Sequence, residues 1–159
     1  MGGRSHGRFG HRRRQASPPE PVEQKFYCTL EELFRGCQKK FKILSSRIVT
    51  IDVKPGWKAG TKVSFNEQGQ TIKFVLCEHP HKWFVRDGDD LRWKCKLTRQ
   101  QAKKGVQLTI PMLDGTEVKW STKGEQVYHG SCIAIASHGM PIKGGPARGN
   151  LIIEFALTD

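Results

Sequence analysis

The sequence predicts a mainly β chain built from many short strands, as in sandwiches or small barrels. Three observations lead there. Apolar residues alternate with polar ones in run after run, as in "TKVSF", "TIKFVL" and "GVQLTIPML". Glycine, proline, aspartate and asparagine punctuate those runs at short intervals. An internal echo links "CTLEELFRGCQKKFKI" to "CKLTRQQAKKGVQLTI", about seventy positions apart, each a strand end, a short helical stretch, a glycine and an alternating strand.

The N-terminal stretch, residues 1–21, is rich in Gly, Arg and Pro. It cannot bury enough apolar surface to offset its ordering entropy, so disorder is expected there. Its "HRRR" reads either as a solvated tail or as a nucleic-acid contact or nuclear signal, and the solvated tail is the simpler reading. From Val22 the elements follow in order. Leu30, Leu33 and Phe34 have helical spacing over too few residues for an independent helix. Gly36 then hands over to a strand on which Lys39, Phe41 and Ile43 share one face. "RIVTIDV" is β-branched and stops at "KPGWKAG". "NEQG" turns between two alternating runs, and "HPHKWFVRDGDD" reads as a long polar connection around two aromatics. "LRWKCKL" precedes the second copy of the echo, where Val106, Leu108 and Ile110 read as plain core. Asp114-Gly115 between apolar runs signals a hairpin, and "SCIAIA" and "NLIIEFAL" close the chain.

Of the 159 residues 36 % are hydrophobic, enough for a modest core. The net charge is +12, and five arginines fall in the first nineteen residues, which hold no acid. The remainder is still basic and should attract acidic partners. Five scattered cysteines form no C-x-x-C pair, which argues for reduced thiols, a cytosolic or nuclear setting and no structural zinc. No apolar run is long enough to span a bilayer. Mitochondrial import is a weaker reading, because the glycines of the Arg-rich N-terminus suit an amphipathic helix poorly.

Two other classes find weaker support in the residues. Cys77, Glu78, His79 and His81 crowd together, but "CEHPH" fits no nucleophile or zinc-ligand spacing, so an exposed loop is expected. "DGDD", Asp87 to Asp90, lacks the periodicity of a calcium loop and reads as a turn between subdomains. Cys28, Cys95 and Cys132 alternate with apolar neighbours and read as small core residues. A basic RNA- or DNA-binding module has raw material in the arginines, the lysines and Trp57, Trp83, Trp93 and Trp120, but no motif aligns them on one surface.

Five blocks in order, "YCTLEELFRGCQKKFKI", "IDVKPGWKAGTKVSF", "FVRDGDDL", "PMLDGTEV" and "GMPIKGGPARGNLIIEF", resemble the C-terminal substrate-binding region of DnaJ co-chaperones of the class without a zinc finger. The resemblance implies two tandem β-sandwich-like subdomains with short helices, over residues 22–86 and 87–159. It implies no enzyme activity and no cofactor or metal. It also implies a groove in the first subdomain that takes extended apolar segments of unfolded clients and the acidic C-terminal tail of DnaK-type chaperones. The matching positions are Phe26, Lys39, Phe41, Ile43 and Phe84, with Lys39 facing carboxylates and Phe41 and Ile43 taking apolar side chains. Gln24 departs from the family's apolar residue, and Arg47 is expected to replace a basic residue of a longer loop. Ser137 and His138 also depart, standing where Glu and Gly are usual. The chain is expected to lack a J-domain, since "HPH" at His79 to His81 is not its signature. With nothing after "IIEFALTD" to form a dimerisation helix, a monomer is expected.

Overall fold

The computed structural model describes residues 2–3 and 20–159. Almost all of the N-terminal tail, with its "HRRR", lies outside the described residues. The fold is mainly β, and its two halves repeat one plan. In the first, β1 (Val22–Cys28) leads into helix α1 (Leu30–Arg35), then β2 (Cys37–Lys42), β3 (Ile48–Val53), β4 (Lys62–Glu67) and β5 (Gln70–Glu78). In the second, β6 (Phe84–Asp87) and β7 (Asp90–Thr98) precede helix α2 (Arg99–Lys104), β8 (Gln107–Pro111), β9 (Glu117–Ser121), β10 (Cys132–Ile135) and β11 (Leu151–Thr158).

Each half combines a sheet with a separate hairpin. The first sheet runs β1-β5-β4, with β1 parallel to β5, and β2 pairs β3 as the hairpin. The second sheet runs β10-β11-β7-β6, with β7 parallel to β11, and β8 pairs β9. The paired inner faces merge into one core cluster that includes Phe26, Phe74, Leu76, Phe84, Ile110 and Phe155.

Local chemistry explains the repeated joint. Thr29 caps α1: its hydroxyl accepts from Glu32 N–H, while the Glu32 carboxylate accepts from Thr29 N–H. Thr98 and Gln101 build the same reciprocal box on α2. Such a cap is worth about 1 kcal/mol, which matters for six-residue helices. Gly36 and Gly105 end the two helices at φ of 83° and 82°. At Gly36 a Cβ would stand 2.9 Å from the Val53 carbonyl, so glycine is required by space as well as by angle.

The caps and glycines correct the phase of the echo. Thr29 matches Thr98 and Gly36 matches Gly105, so Cys95 corresponds to Phe26 and not to Cys28. By the same phase Leu108 stands where the first half has Lys39, and Ile110 where it has Phe41.

Three further expectations change. "HPHKWFVRDGDD" holds a strand, since β6 pairs with β7 from Phe84↔Trp93 to Asp87↔Asp90. "DGDD" is therefore the turn of a hairpin inside the second sheet, with Gly88 at φ 62°. β6 pairs within the second sheet and spans the expected boundary between residues 86 and 87. Among the proposed core thiols Cys28 and Cys95 are buried but Cys132 is exposed, because it lies on the outward face of edge strand β10. All five cysteines are free thiols.

Three contacts tie the halves together. The Arg86 guanidinium is buried and donates to the carbonyls of Gly56, Trp57 and Gly88 and to Glu78 Oε1. The Arg148 guanidinium lies 4.7 Å above the Phe34 ring, and Lys58 pairs with Asp89 at 3.2 Å.

Candidate functional site

β2 and β1 are both edge strands: β2 bonds only to β3, and β1 only to β5. Each therefore keeps one row of backbone donors and acceptors without a strand partner among the described residues. Along β2 the side chains alternate as expected. Cys37, Lys39 and Phe41 are half-buried, while Gln38, Lys40 and Lys42 are exposed. Ile43 continues the inward face just past the strand and is buried. Its N–H donates to the Arg47 carbonyl at 2.8 Å, closing the tight turn into β3.

Beneath β2 lies an aromatic cluster. The Phe41 ring stacks on Phe74 at 4.9 Å and 25°, and meets Phe26 edge-on at 5.8 Å. Phe26 is 2 % exposed and supports Phe41 from below, offering little surface of its own. Beside the cluster opens a cleft of about 270 Å³ between the two edge strands. Val22 and Gln24 of β1, Ile72 of β5, and Lys42, Ile43 and Leu44 line it. Gln24 gives this cleft a polar wall, and Val22 and Leu44 are exposed.

Lys39 points toward α1. Its Nζ lies 2.7 Å from Glu32 Oε2, on the carboxylate that also caps the helix. Burial alone would raise the Glu32 pKa, but the bonds from Lys39 and Thr29 outweigh it and hold the carboxyl below its usual range. The bond to Glu32 raises the Lys39 pKa in turn, so the pair is fully charged at neutral pH. Burial pushes the Cys28 thiol up to about 12, with further contributions from Cys37 and Glu32 nearby, so this thiol is inert at neutral pH.

Phe84 stands elsewhere. It opens β6, is 2 % exposed, and its ring neighbours are His81 at 5.3 Å and Trp83 at 6.4 Å. It lines a second cleft of about 270 Å³ with Leu30, Glu78, His81 and Arg86. Of the five expected site residues, Ile43 lines the first cleft and Phe84 the second. Phe26 and Phe41 meet edge-on under β2, and Lys39 turns to α1, which links the two regions. Glu32 reaches Lys39, while Leu30 and Glu31 reach the Phe84 side. Sequence reasoning missed Glu32 as the partner of Lys39. The T-x-x-E capping signature in "TLEE" was the signal that could have placed it.

The crowded "CEHPH" residues act separately. The Cys77 thiol donates to the Val75 carbonyl at 3.9 Å, His79 stacks on Tyr27, and His81 bonds Glu31. Among the described residues no group of acids, histidines and cysteines could hold a metal ion.

This geometry sits on a chain whose residues 22–158 match the model of the DnaJ C terminal domain. The chain belongs to the DnaJ C-terminal domain family. It is 39 % identical to Protein psi1 of Schizosaccharomyces pombe over 174 residues, covering 95 % of this chain and 46 % of that protein. It is 32 % identical to DnaJ protein homolog 1 of Drosophila melanogaster, covering 91 % of this chain and 48 % of the relative. Protein SIS1 of Saccharomyces cerevisiae is 34 % identical, with 86 % and 44 % covered. The chain therefore spans less than half the length of these curated relatives. The tandem β architecture is that of a DnaJ C-terminal region without a zinc-finger insert, since β1 to β5 follow one another through short connections that contain no C-x-x-C pair.

Proposed function

We propose that this chain is the client-binding module of a co-chaperone, taking extended apolar segments of unfolded polypeptides at the edges of β2 and β1. The observation that carries the reading is the pairing of two strand edges without partners with an apolar cleft between them. An extended peptide adds to β2 through backbone bonds and sets alternate side chains against Phe41, Ile43 and the cleft. Phe26 and Phe84, each 2 % exposed, support that surface from beneath, Phe84 under the second cleft beside α1. Clients are unfolded proteins, and the same groove docks the acidic C-terminal tail of a DnaK-type chaperone. The setting is cytoplasmic. Among the described residues no helix is long and apolar enough to cross a membrane.

Lys39 gives the reading its charge specificity. Its ammonium has three donors, and Glu32 engages it at one oxygen, so a peptide carboxylate can share it. Lys39→Ala should weaken an acidic tail peptide about three- to tenfold at low salt, because the pair is half-exposed. The loss should shrink at high salt, and an uncharged apolar peptide should bind as before. Fluorescence-anisotropy titrations of both peptides check this. Equal loss of both would mean that Lys39 holds the shape of the groove and does not read charge. A steep salt dependence for a single-stranded RNA, with no binding of either peptide, would favour a nucleic-acid module instead.

A further inference from the structure

The loop between β5 and β6 holds a histidine whose ring is bonded on both sides. The His81 side chain is only 11 % exposed, and its Nε2 lies 2.8 Å from Glu31 Oε1 on α1. Its Nδ1 faces the backbone N–H groups of Trp83 and Phe84, at 3.3 and 3.2 Å. Backbone N–H groups can only donate, so Nδ1 must be the bare nitrogen. The ring proton is then on Nε2 and is donated to Glu31. One neutral ring thereby joins α1 to the first residue of β6. The ring also lies 5.3 Å from Phe84 at 37° and stands edge-on to Trp83.

We propose that His81 is a positioning residue for Phe84, its fixed tautomer setting where β6 begins and where the Phe84 ring sits. This rests on the reading of Phe84 as part of the binding surface. A proton added at Nδ1 turns the acceptor of two N–H groups into a donor that faces them, so the clasp on β6 opens. The charges around the ring are few. Glu31 faces it from α1 with Arg35 close to that carboxylate, Lys82 and His79 belong to its own loop, and the Glu78–Arg86 pair lines the adjoining cleft. Glu31 draws the imidazolium toward α1, but its carboxylate is 36 % exposed and the attraction is screened. Nothing in that attraction replaces the lost acceptor.

The test uses the full chain, three variants and a fluorescein-labelled apolar heptapeptide. His81→Asn puts an amide oxygen close to the position of Nδ1. His81→Gln reaches toward Glu31 but offers nothing at Nδ1. Phe84→Ala reports on the underlying reading. Long-range proton–nitrogen spectra of the wild-type ring at neutral pH should show the Nε2–H tautomer, and an Nδ1–H tautomer would overturn the proposal whatever the variants do. Amide exchange protection at Trp83 and Phe84 should fall about tenfold in His81→Gln at neutral pH. His81→Asn should keep that protection. Peptide affinity should follow the same order. A loss of affinity in Phe84→Ala with none in His81→Gln would overturn this inference alone. Full affinity in Phe84→Ala would remove Phe84 from the site and overturn the reading beneath it.

Discussion

Phe41→Ala should lower the affinity for an extended apolar peptide by about 5- to 150-fold, the effect of removing a central aromatic anchor worth about 1–3 kcal/mol. The ring is half-buried in the free protein, so part of its surface faces the open edge of β2. Its other face stacks on Phe74, and truncation therefore also costs stability. A second variant separates the two losses. Leu108 is the equivalent of Lys39 in the second half, is 8 % exposed and packs in the core. Leu108→Ala should cost about 2–3 kcal/mol of folding stability and leave peptide affinity unchanged. Anisotropy titrations and urea unfolding on all three proteins give both quantities. Wild-type affinity in Phe41→Ala would contradict the assignment.

Gly149→Ala should destabilise the chain by at least about 3 kcal/mol, since the added methyl meets backbone that cannot yield. A Cβ at Gly149 would overlap the Asp89 carbonyl and lie 2.8 Å from Asp90 Oδ1. Both groups are committed. The Asp89 carbonyl accepts from Met140 N–H, and Asp90 Oδ1 accepts from Asn150 N–H. Gly149 itself exchanges bonds with Met140 and Gly139. The clash would push apart the β6–β7 turn and the start of β11 together. Gly145 has open space around it, so Gly145→Ala should change stability by less than about 0.5 kcal/mol. Urea midpoints of the two variants decide the matter, and similar midpoints would show that the loop relaxes.

Most strands were legible because period-two alternation and turn residues act locally. "NEQG" became a two-residue turn with Gln68 and Gly69 at φ of 50° and 76°, and Asp114 anchors its hairpin by accepting from Thr116 N–H. β6 was hidden because a four-residue edge strand turns only one large apolar side chain, Phe84, into the core. The phase of the echo misled for a packing reason. Phe26 stands beside Leu76 in the first half, whereas its equivalent Cys95 stands beside Phe155. The first half sets two large residues side by side where the second sets a small cysteine beside a phenylalanine, so matching cysteine to cysteine gave the wrong phase. The caps and glycines, which obey backbone geometry, kept it.

The site was legible in kind but not in arrangement. Alternation put Lys39, Phe41 and Ile43 on one face, yet nothing local shows that Lys39 is held by the carboxylate capping α1. Nor could spacing reveal that Phe26 lies beneath Phe41, since that contact follows from the packing of the β2–β3 hairpin on the sheet. His81 was set aside with its loop because its partners are backbone amides and a helix that precedes it by fifty residues.

The central claim is that extended peptides enter at the open edges of β2 and β1. Titrating the isotopically labelled chain with an unlabelled apolar heptapeptide and following its backbone amide signals tests this most directly. Shifts should concentrate at Val22 to Phe26, Cys37 to Leu44 and Ile72, with α2, β8 and β9 unmoved. Shifts centred on α2 or the β8–β9 hairpin, with β2 silent, would contradict it.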